Sequence, residues 1–166
     1  MKNLILGLFV FGLTTQVFPQ EIELPAVEIE AVNYKYLYAV STEDTDPQVK
    51  KLEEHVSTYD VTQSEYYDDD YDSYTISFYI PDGRIAAAYD KNGQLLRTIE
   101  KFNNVKLPRA VNKAVAKRFP GWKLDNNVYK VSYKIQNEGA TKIYKMKLSN
   151  GDKTIKVKTD EEGNFL

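Results

Sequence analysis

The sequence predicts an α+β fold, a tandem repeat in which one helix packs on a four-stranded antiparallel sheet and the unit is used twice. Three observations carry the prediction. Each half of the chain holds one amphipathic helical segment, each helix is followed by runs of alternating apolar and polar residues, and Gly-ended turns punctuate those runs at matching places. Pro81-Asp82-Gly83 matches Ser149-Asn150-Gly151, and Asp90-Lys91-Asn92-Gly93 matches Asp160-Glu161-Glu162-Gly163, at offsets of 68 and 70 residues.

The first 20 residues stand apart from this pattern. Lys2 precedes an apolar run from Leu4 to Leu13, which turns polar at Thr14 before Pro19-Gln20. A basic start and an apolar stretch too short to span a bilayer read as a secretory signal over 1–20. No later stretch is apolar enough to cross a membrane, so a periplasmic or secreted chain is expected. Residues 21–33 form an extended N-terminal segment: Glu21 to Val32 alternates, is acidic, and is interrupted by Pro25. It suits an edge strand, or a tail that a partner captures.

The first repeat is expected over 34–104 and the second over 105–166. Tyr34, Tyr36 and Tyr38 alternate in a strand-like way and start the packing of the first. Asp46-Pro47 then opens a helix, with an acceptor at the cap and Pro at the first helical position, and Val49, Leu52, Val56 and Tyr59 form its apolar stripe. Strands follow over Tyr74 to Ile80, Arg84 to Tyr89 and Gln94 to Phe102. In the second repeat the helical stripe is Leu107, Ala110, Val111, Ala114, Val115 and Phe119, stopped by Pro120-Gly121. Alternation then returns over Tyr129 to Ile135, Tyr144 to Leu148 and Thr154 to Lys158, with Asn150-Gly151 as the hairpin signal. A turn through Gly163 leads into a short last strand.

Composition narrows the chemistry. There is no cysteine, so there is no disulfide framework, Cys-ligated metal or Cys nucleophile. His55 is the only imidazole and reads as a helix-surface residue. The net charge of −2 hides a division: residues 33–104 carry −7 and residues 105–166 carry +8. An acidic half before a basic half can steer a charged partner. Nucleic acid is not the expected partner of an exported chain with an acidic neighbour.

The helix beginning Leu107-Pro108-Arg109-Ala110-Val111 and ending Arg118-Phe119-Pro120-Gly121, the Tyr129-Lys130-Val131 strand and the closing Asp160-Glu161-Glu162-Gly163-Asn164 carry a resemblance. Together they resemble the PepSY-like, beta-lactamase-inhibitor-like domains of exported proteins from Bacteroidetes-type bacteria, well over 105–166 and more weakly over 34–102. The resemblance implies a helix on a four-stranded antiparallel sheet, used twice, in exported proteins without catalytic residues as a family trait. The family name reflects shape similarity to an inhibitor whose repeats present a sheet face to beta-lactamase. Fold alone does not confer inhibition.

Strand parity points to the surface that binds. If Tyr129, Val131, Tyr133, Ile135, Tyr144, Met146, Leu148, Ile155 and Val157 face the helix, then Lys130, Lys134, Lys145, Lys147, Lys156 and Lys158 share the opposite face. Such a face is either a solvated, edge-protecting surface or an electrostatic docking site for an acidic protein, the acidic repeat of the same chain or an anionic envelope polymer. The segment Glu65 to Tyr74 is the other unusual stretch. Tyr66, Tyr67 and Tyr71 offer rigid contact area there, while Asp68, Asp70 and Asp72 alternate as ligands of a calcium loop would, without its Gly or its distant Glu. Trp122 reads as core or turn packing.

No phosphate loop, nucleophile elbow or His-Glu-x-x-His motif occurs. The sequence thus leads to a monomeric, exported, non-catalytic binding module of the bacterial envelope, with no cofactor and no metal centre. Its expected partner is an envelope protein or anionic polymer met through the sheet face. An inhibitor of an exported hydrolase or protease, and a small enzyme with an unrecognised carboxylate site, are the alternatives.

Overall fold

A computed structural model describes residues 33–137 and 139–166. The signal over 1–20 and the acidic stretch over 21–32 lie outside the described residues. Three helices, α1 (Tyr34–Val40), α2 (Pro47–Thr58) and α3 (Arg109–Arg118), accompany six strands: β1 (Ser73–Ile80), β2 (Gly83–Asp90), β3 (Leu95–Asn103), β4 (Lys123–Lys134), β5 (Ala140–Asn150) and β6 (Lys153–Thr159). The strands form one sheet in the order β1-β2-β3-β4-β5-β6, each antiparallel to its neighbours.

Helices α2 and α3 and strands β1 to β3 and β6 form where the patterns place them, while β4 and β5 begin earlier, at Lys123 and Ala140. Asp46 caps α2 by accepting from the Gln48 amide at 2.9 Å, Pro47 takes the first helical position, and Val49, Leu52 and Val56 are buried. Asp46 also accepts from the Lys106 amide at 2.8 Å, tying the start of α2 to the connection after β3. The paired turns are alike in geometry. Asp90 and Asp160 each donate their amide four residues ahead, to Gln94 and Asn164, and accept that residue's amide on their carboxylate. Each turn closes through a glycine at positive φ, Gly93 at 81° and Gly163 at 87°.

Two four-stranded sheets do not form. Each half contributes three strands, and β3 joins β4 from Arg97↔Lys134 to Asn103↔Val128, making a single six-stranded sheet across the expected division at 104/105. The physical reason is the strand count. A three-stranded half leaves an unpaired inner edge, and pairing β3 with β4 satisfies both inner edges at once. The strand-like reading of Tyr34, Tyr36 and Tyr38 is also corrected. These residues form α1, which buries Tyr36 and leaves Tyr34 and Tyr38 exposed. The last strand is reduced to one bridge, Thr159↔Phe165.

Helices α1 and α2 pack on one side of the sheet, α2 over β1 and β2 and α1 over β4 and β5. Beneath them an aromatic row crosses three strands: Phe102 stacks on Tyr129 at 6.1 Å, and Tyr129 on Tyr144 at 4.5 Å. Gly83 pairs with Phe102, whose ring occupies the place that a Cβ at position 83 would take. We expect Gly83→Ala to destabilise the fold by about 2 kcal/mol, because the ring must leave its row. Urea unfolding would measure the cost, and an unchanged midpoint would contradict this packing.

Candidate binding face of the sheet

Among the described residues, α1 and α2 pack on one side of the sheet and leave the other side open, where antiparallel register decides which side chains line up. Lys145 stands opposite Lys158 and Lys147 opposite Lys156; Lys130 stands opposite Lys101, which stands opposite Arg84; and Arg97 stands opposite Lys134. The six lysines expected on this face are all on it. The structure adds Arg84, Arg97 and Lys101, which parity within the second half alone does not reveal. They join because the sheet is continuous across β3 and β4.

With Lys123, which stands opposite Ser149, ten cations therefore occupy outward positions from β2 to β6. Carboxylates scarcely interrupt them. Asp90, the one acid at a regular outward position, ends β2 and is engaged by the amides of Asn92 and Gln94. Asp125, at the irregular pairing near the start of β4, lies 3.8 Å from Lys147 Nζ and accepts from the Ser149 hydroxyl at 2.6 Å. The consequence is mutual repulsion. Lys130 first, then desolvation and Lys158, push the Lys145 ammonium below its usual pKa.

The face is not flat. A hollow of about 340 Å³ lies among Val128, Lys145, Lys147, Lys156 and Lys158. A second, about 290 Å³, lies among Arg84, Ile99, Lys101, Lys130 and Ile143. Each thus offers apolar contact within a ring of cations. Ile99 is 63% exposed, an apolar side chain on the open face rather than in the core.

The tyrosine-rich segment lies elsewhere. It precedes β1, at the sheet edge opposite β6. Tyr67 stacks on the inward-facing Tyr74 at 5.5 Å, and Tyr66 and Tyr71 are exposed. The Tyr74 hydroxyl donates to the Asp68 carbonyl and so fixes the loop. The carboxylates that converge are those of Asp68, Asp69 and Asp70, within 4.8 Å of one another, and not the alternating set with Asp72. The structure does not unite Tyr66, Tyr67 and Tyr71 with the six lysines in one site. His55 is exposed and edge-on to Phe78 at 5.5 Å, and Trp122 packs against the core from the end of α3.

Under the helices lies a polar cluster that the sequence pattern conceals. Glu53 of α2 and Glu100 of β3 are both buried. Glu100 Oε1 accepts from the Tyr36 hydroxyl at 2.9 Å and from Thr98 Oγ1 at 2.7 Å, while its second oxygen and both of Glu53's have no partner among the described residues. Burial raises both carboxyls well above the ordinary range, and the proximity of Glu100 raises Glu53 further. Lys142, buried on β5, pairs with Glu161 at 2.7 Å. Among the described residues, Tyr36, Thr98 and α2 enclose both acids.

No family model matches the chain, and no curated protein matches it. Among solved structures, the chain is similar to a BLIP-like protein from Bacteroides fragilis at 17% identity and a TM-score of 0.30, over 57% of this chain and 73% of that one.

Proposed function

We propose that this chain is an exported, non-catalytic binding module of the bacterial envelope, which holds an acidic protein surface against the open face of its sheet. The carrying observation is the row of cations from Arg84 to Lys158, ringing two apolar-floored hollows and almost free of carboxylates. Cations this crowded repel one another, and opposite charge brought against them is correspondingly favoured. The basic, apolar start of the sequence supports export, and the lack of cysteine suits a chain that depends on packing alone.

Capture from envelope extract at low and high salt tests the proposal. Reversing Lys145, Lys147 and Lys156 to Glu should abolish salt-sensitive capture of a protein partner, and unchanged capture would eliminate the face. Retention of only an anionic polymer would contradict a protein partner. A captured hydrolase or protease whose turnover stops on binding would make the module an inhibitor.

A further inference from the structure

The hollow among Val128, Lys145, Lys147, Lys156 and Lys158 suits one kind of ligand, an inference that rests on reading the open face as a surface for acidic partners. An apolar floor inside a ring of ammonium groups matches an aromatic side chain flanked by carboxylates. The chain displays such a group at the other edge of its sheet. Tyr71 is 60% exposed between Asp70 and Asp72, and the stretch from Glu65 to Asp72 holds five carboxylates and no cation. Oxygens of Asp68, Asp69 and Asp70 converge to within 4.8 Å of one another, so these anions are crowded as the cations of the open face are. Bringing the two surfaces together relieves both sets of like charge.

The loop cannot reach the hollow of its own molecule. Tyr67 stacks on the inward-facing Tyr74 at 5.5 Å and the Tyr74 hydroxyl donates to the Asp68 carbonyl, which ties the loop to the helix-covered side of the sheet at β1. From β1 to β5 is about 19 Å across four strand spacings, and the hollow lies on the opposite side. A second copy of the chain meets no such barrier. Reciprocal docking, with each loop in the face of the other copy, would press two basic faces together. One loop on one face leaves a free face at one end and a free loop at the other, so the contact is head-to-tail.

We propose that Tyr71 of one copy seats in the hollow among Lys145, Lys147, Lys156 and Lys158 of a second copy, with Asp69, Asp70 and Asp72 against those ammonium groups. The contact is small and its ion pairs are exposed, so the copies associate weakly and reversibly. An acidic partner then competes with self-association for the same face.

Sedimentation velocity on the chain from Glu21 to Leu166 tests the contact with two variants that each spoil one half of it. D69N/D70N/D72N spares Asp68, whose carboxylate accepts from the Asp70 amide at 3.0 Å, and K145E/K147E/K156E reverses the face. The unsubstituted chain should form dimers and longer species as its concentration rises at low ionic strength, and return to monomer at high salt. Each variant alone should associate at least about tenfold more weakly. Mixed, the two should form a one-to-one heterodimer, since the loop variant keeps its face and the face variant keeps its loop. Y71F should associate like the unsubstituted chain, and Y71A about tenfold more weakly. A chain that stays monomeric, variants that fail to complement each other, or association that Y71A leaves unchanged would overturn the contact. Binding of poly-L-glutamate by a chain that does not self-associate overturns the contact and leaves the basic face standing, while loss of both overturns the two together.

Discussion

Replacing Glu53 with Gln should stabilise the protein at alkaline pH and flatten the pH dependence of its stability. Glu53 is fully buried and neither oxygen has a partner among the described residues, so its ionised form is disfavoured inside the fold. Burial is the main cause and the neighbouring Glu100 the next, raising Glu53 to about 8; burial raises Glu100 to about 7. The charged and titratable groups facing the pair are Tyr36 on α1, Glu54 on α2, Tyr129 on β4, and Tyr144 and Lys142 on β5, and of these only Lys142 favours ionisation of both. In the unfolded chain both carboxyls ionise near pH 4.3. The folded state therefore holds protons that the unfolded state has released. Its contribution is complete below about pH 4.3 and is lost as pH rises towards about 8. The unfolding free energy should fall by roughly 7 kcal/mol between pH 5 and 9, and by roughly 3 kcal/mol in E53Q, where Glu100 alone remains. Denaturant unfolding at several pH values measures both slopes, and stability that rises towards pH 9 would contradict the buried pair.

Gly163→Ala should be the most damaging single-methyl substitution in the second half. Gly163 has φ +87°, and an added Cβ would lie 2.9 Å from the Ala110 carbonyl oxygen and 2.8 Å from Ala114 Cβ. Both obstacles belong to α3, whose backbone cannot yield as a flexible side chain would. That helix has little other anchorage: Val111 is its one buried residue, and Phe119 beyond its end meets Phe165 at 5.7 Å. Backbone strain and the clash together should cost about 3 kcal/mol. Gly121→Ala is the matched control. It has φ +78° but nothing within 4 Å of the added Cβ, so its cost should be near 1 kcal/mol. Thermal unfolding of the two variants separates close packing from conformation, and equal losses would contradict the tight seating of α3.

The strands, turns and helices were legible because each uses local chemistry. Period-two alternation, the Asp46-Pro47 cap and the Asp-to-Gly turns need no knowledge of distant partners. Whether the two halves fuse or stand apart was not legible, because the β3–β4 pairing depends on which edges remain unsatisfied after each hairpin closes. The alternating tyrosines misled for a related reason. Tyr34 and Tyr38 both stay in solvent around a single buried Tyr36, and one turn of a helix does this as readily as a strand does. In β3 hydropathy runs against the fold, since Ile99 faces out and Glu100 faces in. Hydroxyl groups of Tyr36 and Thr98 hold that carboxyl inside, and one of them lies 64 residues away in sequence. The lysine face was readable over β4 to β6, where apolar and basic residues alternate cleanly. Its extension through Lys101, Arg97 and Arg84 follows only from the continuous sheet.

Calorimetric titration of the chain with poly-L-glutamate over a range of salt concentrations tests the role of the basic face most directly. Binding that weakens steeply with salt and disappears in K145E/K147E/K156E is the predicted result. Affinity that salt leaves unchanged, or that survives the three reversals, would contradict it.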